Sequence, residues 1–120
     1  MPTATNHFDL DALIAAVEGD DPAGQLAAYA PDAVVEAFNR DHGPAAPLVL
    51  RGRDALRAAL DDVAARRLTH DVQRAVANDR VGALQVRCTY PDGLQVLCSS
   101  TFDHEDGRIV RETRVEVWDG

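Results

Sequence analysis

Cysteine, aromatic and basic residues are all scarce in this chain. Its 120 residues include two cysteines, one tryptophan and two tyrosines. Two cysteines are too few for the disulfide framework on which small secreted scaffolds rely. Cys88 and Cys98 also fall diagonally, not opposite each other, on the hairpin described below, which is poor geometry for a bond. They read as reduced thiols behaving as small hydrophobes. Twelve basic residues stand against twenty acidic ones, a net charge of −8. The single adjacent basic pair, Arg66-Arg67, ends an expected helix, where the dipole favours cations. With no basic stripe, nucleic acid and membrane surfaces are not expected partners. No apolar run approaches the roughly 20 residues of a membrane span. Met1 to His7 lacks the basic start and apolar core of a signal peptide, so a cytoplasmic location is expected. There is no glycine-rich phosphate loop, no CxxC, and no HxH or HExxH spacing, so neither cofactor nor metal is expected.

What the chain does contain is pattern. Hydrophobic residues make up 46% of it, enough for a packed core, and its length fits one domain over residues 1–120. From Val81 to Trp118 run three alternating segments, the first two joined by Tyr90-Pro91-Asp92-Gly93. Proline presets a turn's first central position, and Gly93 can take the left-handed conformation that closes the loop. Counting outward, Cys88 faces Val96, Val86 faces Cys98 and Leu84 faces Ser100. This register gathers Leu84, Val86, Cys88, Tyr90, Leu94, Val96, Cys98 and Phe102 on one face, and a slip of one residue would scramble it.

The first half supplies helices to cover that face. Asn6 or Asp9 can cap a helix carrying Leu10, Leu13, Ile14 and Val17. Asp21 and Pro22 start a second, running to about Tyr29 and stopped by Ala30-Pro31-Asp32. A strand is expected over 33–38, a partner over 48–50, and a third helix from Gly52 with Leu56, Ala59, Leu60 and Val63 on one face. Four strands follow, over about 69–77, 81–90, 94–103 and 108–118. Helices on one face of a curved antiparallel sheet make an α+β domain whose cone-shaped interior, open at one end, suits a small, largely apolar molecule.

The order of elements and three strings, GDDPAGQLAAYAPDAVVE, LRGRDALRAAL and DGRIVRETRVEVWD, resemble the nuclear-transport-factor-2-like superfamily and, within it, the SnoaL-like proteins. The resemblance implies a cone-shaped, cystatin-like α+β barrel, commonly a homodimer, with members that include isomerases, cyclases, dehydratases and non-catalytic binding or assembly modules. The superfamily's steroid-isomerase pattern does not carry over. Its tyrosine falls near Ala12, its base at Ala37, and its second acid between Cys98 and Ser100. The epoxide-hydrolase arrangement fails as well, since its last-strand aspartate falls at Arg114. Two readings stay open: cofactor-free acid–base catalysis, or ligand binding or assembly without turnover.

Candidate residues follow from chemistry. Asn39, Arg40, Asp41 and His42 place a carboxylate and an imidazole in one loop, where Asp41 and His42 can serve as a general base. Ser100 is a hydroxyl on an apolar face and needs a partner there. Tyr29, Tyr90 and Trp118 each combine an apolar body with a polar tip that can orient a ligand, and Cys98 completes the expected wall. His70 is expected at a surface strand end, and His104 in a turn, Asp103 to Gly107. The last strand has two registers. Burying Ile109, Thr113, Val115 and Val117, with Arg111 opposite Ser100, covers more apolar surface and is preferred over burying Glu112, Arg114 and Glu116.

Overall fold

The computed structural model describes residues 7–120. Asn6, one of the two expected caps, lies outside them. Helix α1 (Leu10–Glu18) is capped by Asp9, whose side chain accepts the Ala12 N–H at 3.0 Å, and it buries Leu13, Ala16 and Val17. Asp21 caps α2 (Pro22–Ala27) in the same way, with proline in the first turn, where no N–H is missed. Helix α3 (Gly52–Ala65) starts at Gly52, whose φ of 84° favours glycine, and turns Leu56 inward. None of these helices is long and apolar enough to cross a membrane.

Strands β1 (Tyr29–Phe38), β2 (Leu48–Arg51), β3 (Thr69–Ala77), β4 (Val81–Thr89), β5 (Gln95–Glu105) and β6 (Arg108–Trp118) form one open sheet in the order β2-β1-β6-β5-β4-β3. The three helices cover its concave face. One pairing departs from the expected antiparallel sheet: β1 runs parallel to β6. Strand β1 also begins four residues before the expected Ala33, passing through Pro31. The proline is tolerated because the β1–β6 register shifts between Tyr29 and Val34, an irregularity where no ladder bond from its nitrogen is required. As a result Tyr29 is a buried strand residue, where a helix end was expected.

The β4–β5 hairpin holds the expected register, Leu84 to Ser100, Val86 to Cys98 and Cys88 to Val96, closed by the Tyr90 N–H to the Leu94 carbonyl at 2.8 Å. Gly93 takes φ 94° in the turn. Strand β5 runs two residues further than expected, so His104 belongs to the strand. It is 4% exposed, stacked on Phe8, with Nε2 bonded to the Asn78 carbonyl at 2.9 Å.

Strand β6 overturns the preferred register. Asp103 pairs with Arg111 but His104 pairs with Ile109, leaving Val110 as an extra residue on β6. This bulge moves every later side chain to the opposite face. Ile109 and Glu112 are both buried, while Val115 and Val117 are 45% and 63% exposed. Ser100 therefore sits opposite Arg114, not Arg111. The core lies between α1, α3 and the concave face, with Val35 and Ile109 sealed completely. Glycine is required at position 82, at the end of β4 away from Tyr90: a Cβ there would stand 2.3 Å from Cζ of Phe102.

Candidate functional site

The concave face and the helices enclose a cavity of about 130 Å³. A single water needs roughly 10–15 Å³ on the same measure, so the space exceeds that of one water several times over. Strands β4 and β5 give it an apolar wall of Leu84, Val86, Val96 and Phe102, while α1 and α3 close it with Leu13, Val17, Leu60 and Val63. Of the residues expected at a site, Tyr29, Tyr90, Cys98, Ser100 and Trp118 line this cavity. Asn39, Asp41 and His42 do not.

The bulge on β6 sets charge into this apolar wall. Glu112 is 3% exposed and faces Phe102 across the sheet. Its Oε1 accepts the hydroxyl of Tyr29, and its Oε2 accepts Nε and Nη2 of Arg114 at 3.0 and 2.9 Å. Arg114 Nη2 also reaches the Tyr29 oxygen at 3.4 Å. Burial, and then the charge of Glu112, push the Tyr29 hydroxyl above the ordinary phenol value, so it donates and does not ionise. The Glu112 carboxylate holds Arg114 more firmly protonated, against the opposing effect of burial. This group was missed in the sequence because strict alternation placed Glu112 and Arg114 outside. Ser100 gave no signal that could have found it, because the expected register also set an arginine, Arg111, opposite that hydroxyl.

A second polar set occupies the β3–β4 side. His70, expected at the surface, lines the cavity with its side chain 8% exposed. Its Nδ1 points toward Asp20, with Oδ1 4.0 Å away, and has no hydrogen-bond partner. His70 and Cys88 are direct cross-strand partners, and Cys98 is diagonal to Cys88 through the Val86–Cys98 pair. Hydrogen bonding to Cys88 raises the imidazole above its ordinary value, against burial, with Asp20 adding to the shift. Hydrogen bonding from Cys98, and then His70, pulls the Cys88 thiol down against burial. The Cys98 thiol, donating to Cys88 in a buried position, moves up. Asp20 was overlooked because it lies in the turn after α1, fifty residues from His70, and φ 51° at Asp20 marks the tight turn that brings it there.

Aromatic residues frame the mouth. The Tyr90 and Trp118 rings lie 5.9 Å apart, and Arg66 Nη1 donates to the Tyr90 hydroxyl at 3.0 Å. Trp118 Nε1 donates to Glu116 at 3.1 Å, and the Arg40 guanidinium lies 4.2 Å above the indole ring. The loop after β1 thus meets the mouth through Arg40 and not through the expected base. His42 Nδ1 is 3.1 Å from the Asn39 side-chain oxygen, and Asp41 is exposed in the turn. Among the described residues no three His, Cys, Asp or Glu side chains converge as a metal-ligand set.

The cone, the open six-stranded sheet and the helix order are those of a known family, and the model of the SnoaL-like domain matches residues 10–112. The chain belongs to the SnoaL-like domain family. No curated protein matches its sequence significantly. Solved structures share the fold at low identity. A candidate ketosteroid isomerase from Kribbella flavida superposes with TM-score 0.73 at 18% identity, covering 92% of this chain and 74% of that one. An NTF-2 like protein of unknown function from Burkholderia xenovorans gives 0.71 at 20% identity, over 92% and 79%. A candidate polyketide cyclase from Sinorhizobium meliloti gives 0.66 at 21%, over 87% and 90%. At these identities the likeness establishes the NTF2-like fold of this SnoaL-like protein.

Proposed function

We propose that this SnoaL-like protein binds a small, largely apolar molecule in its cone and moves a proton on it without a cofactor. The observation that carries the reading is His70, a buried imidazole on an otherwise apolar wall whose Nδ1 has no partner. Buried polar groups are normally satisfied, and a buried imidazole with an unbonded nitrogen on the wall of a cavity, beside a carboxylate, marks a candidate acid–base group. In this reading His70 takes and returns the proton, Asp20 steadies the imidazolium, and Ser100 with Arg114 orients a polar atom of the ligand. Isomerase, cyclase and dehydratase chemistry all require such a step.

A second reading has its own support. Glu112 is fully compensated by Tyr29 and Arg114. Such a closed group supplies rigidity to a binding or assembly module as readily as it supplies catalysis. For a homodimer, the convex face of the sheet is the favoured surface, with Val76, Val81, Val115 and Val117 at 65, 45, 45 and 63% exposure.

Thermal shift against steroids, terpenoids, aromatic polyketides and fatty acids tests both readings, because ligands raise the transition with the logarithm of occupancy. A hit that is turned over by the parent chain and by His42→Ala, but at least about a hundredfold more slowly by His70→Asn, supports proton transfer. A hit bound equally by all three and never turned over points to the binding module.

A further inference from the structure

The cavity wall holds a thiol, Cys88, that proton transfer leaves unused. Asp20, His70 and Cys88 follow one another from the end of α1 across β3 to β4, with Asp20 Oδ1 4.0 Å from His70 Nδ1 and His70 directly opposite Cys88. Carboxylate, imidazole and thiol in that order are the orienting group, base and nucleophile of cysteine-based covalent chemistry. Two observations separate this arrangement from an inert core cysteine. The imidazole is buried with Nδ1 unpartnered, and Cys88 borders empty space where a core cysteine would be packed on all sides. A second thiol, Cys98, lines the same wall and is free.

We infer that Cys88 is a nucleophilic site for electrophilic occupants of the cone, and that the fitting class is a small, largely apolar α,β-unsaturated carbonyl compound. Apolar walls set the size and polarity. The class follows from what the wall supplies. Acyl transfer builds an oxyanion that calls for paired N–H donors, and those of β3, β4 and β5 are engaged in the sheet ladder. Conjugate addition needs only a thiolate and a proton donor. The Cys88 sulfur forms a bond to the β-carbon while the alkene's electron pair shifts toward the carbonyl, giving an enolate. The α-carbon then takes the proton that His70 had received from Cys88. The net change is addition of S–H across the double bond, with nothing oxidised or reduced, and the reverse steps release the alkene.

The groups facing this pair come from every neighbouring element. They are Asp20 after α1, Cys98 on β5, Arg114 and Glu116 on β6, and Arg66 on the α3 side. Asp20 favours the protonated imidazole, Glu116 keeps Cys98 protonated, and Arg114 favours the Cys88 thiolate.

The inference rests on the reading that the cone admits a small ligand, and not on turnover. It is tested by exposing the intact chain to 2-cyclohexenone and locating the adduct by peptide mass mapping, beside the same chain unfolded in urea. An ordinary thiol is almost wholly protonated at about pH 6, so folded Cys88 should react about tenfold faster there than unfolded Cys88, with Cys98 unlabelled. His70→Asn should remove that advantage while keeping a cooperative melt. If that variant does not fold, the parent comparison decides alone. Slower labelling of Cys88 in the folded chain than in the unfolded one, or an adduct on Cys98, overturns the inference. Cyclohexanone, which cannot be attacked in this way, reads the cone by thermal shift. Stabilisation by it without labelling by the enone sinks the thiol site and leaves ligand binding standing.

Discussion

Strands β5 and β6 lie side by side, eleven residues each, and treat the same interior differently. On β5 every second residue from Val96 to His104 turns inward, and all but Ser100 and His104 are apolar or thiol. On β6 the inward set is Ile109, then Glu112, Arg114, Glu116 and Trp118, while valines face out. One strand follows the rule that apolar residues go inside; its neighbour inverts that rule over its second half. The inversion costs solvation of the buried Glu112 and the half-buried Arg114, and exposes Val115 and Val117. Neither cost arises in a strand whose only task is to complete a core. The contrast marks β6 as the strand that carries the polar floor of the cone, and β5 as the wall that holds it in register.

The contrast can be broken most severely by removing one charge alone. Glu112→Ala strands the Tyr29 hydroxyl and part of Arg114, for a loss of about 3 kcal/mol in urea unfolding. This lies at the low end for a buried pair because Arg114 keeps 26% of its side chain exposed and can turn to water. Joint replacement, Glu112→Leu with Arg114→Leu, should recover most of the loss, since an apolar pair needs no compensation. Against the β5 wall, Gly82→Ala on β4 drives a methyl into the Phe102 ring and should cost about 1–3 kcal/mol, by the same measurement.

The smallest effect concerns pH. Cys88 is held below its ordinary value, so the folded chain gives up its thiol proton at lower pH than the unfolded chain does. The stabilisation this brings is complete above the unfolded value of 9.0 and is lost as pH falls through the folded value. The margin of the parent chain over Cys88→Ser should therefore widen as pH rises toward 9.0, as read from urea midpoints across the range. A margin that narrows would contradict the direction of the shift.

Much of the architecture was legible because local and long-range signals agree in it. The hairpin from Val81 to Glu105 has a turn that admits one geometry and two strands whose apolar sets meet only in one register. Caps at Asp9 and Asp21 and the apolar stripe of α3 are equally local. The site was half legible. Tyr29, Tyr90, Cys98, Ser100 and Trp118 could be placed by type and face, but the groups able to do chemistry could not. A bulge at Val110 has no composition of its own, and a strand with charged inward positions reads in sequence as its mirror. Asp20 and His70 meet only through the packing of α1 on β3, which no local pattern announces. The loop from Asn39 to His42 drew attention because its reactive types are adjacent in sequence. Adjacency in a turn gives no common direction to the side chains.

One consequence of the mouth's construction is optical. Trp118 is the only tryptophan in the chain. Its ring is covered by the Arg40 guanidinium, flanked by Tyr90 and tethered through its N–H to Glu116. On the proposed function, a molecule entering the cone passes this indole and disturbs the charges around it. The protein thus carries a single native fluorophore at its threshold, and the emission of that one residue can report filling and emptying in real time without any label.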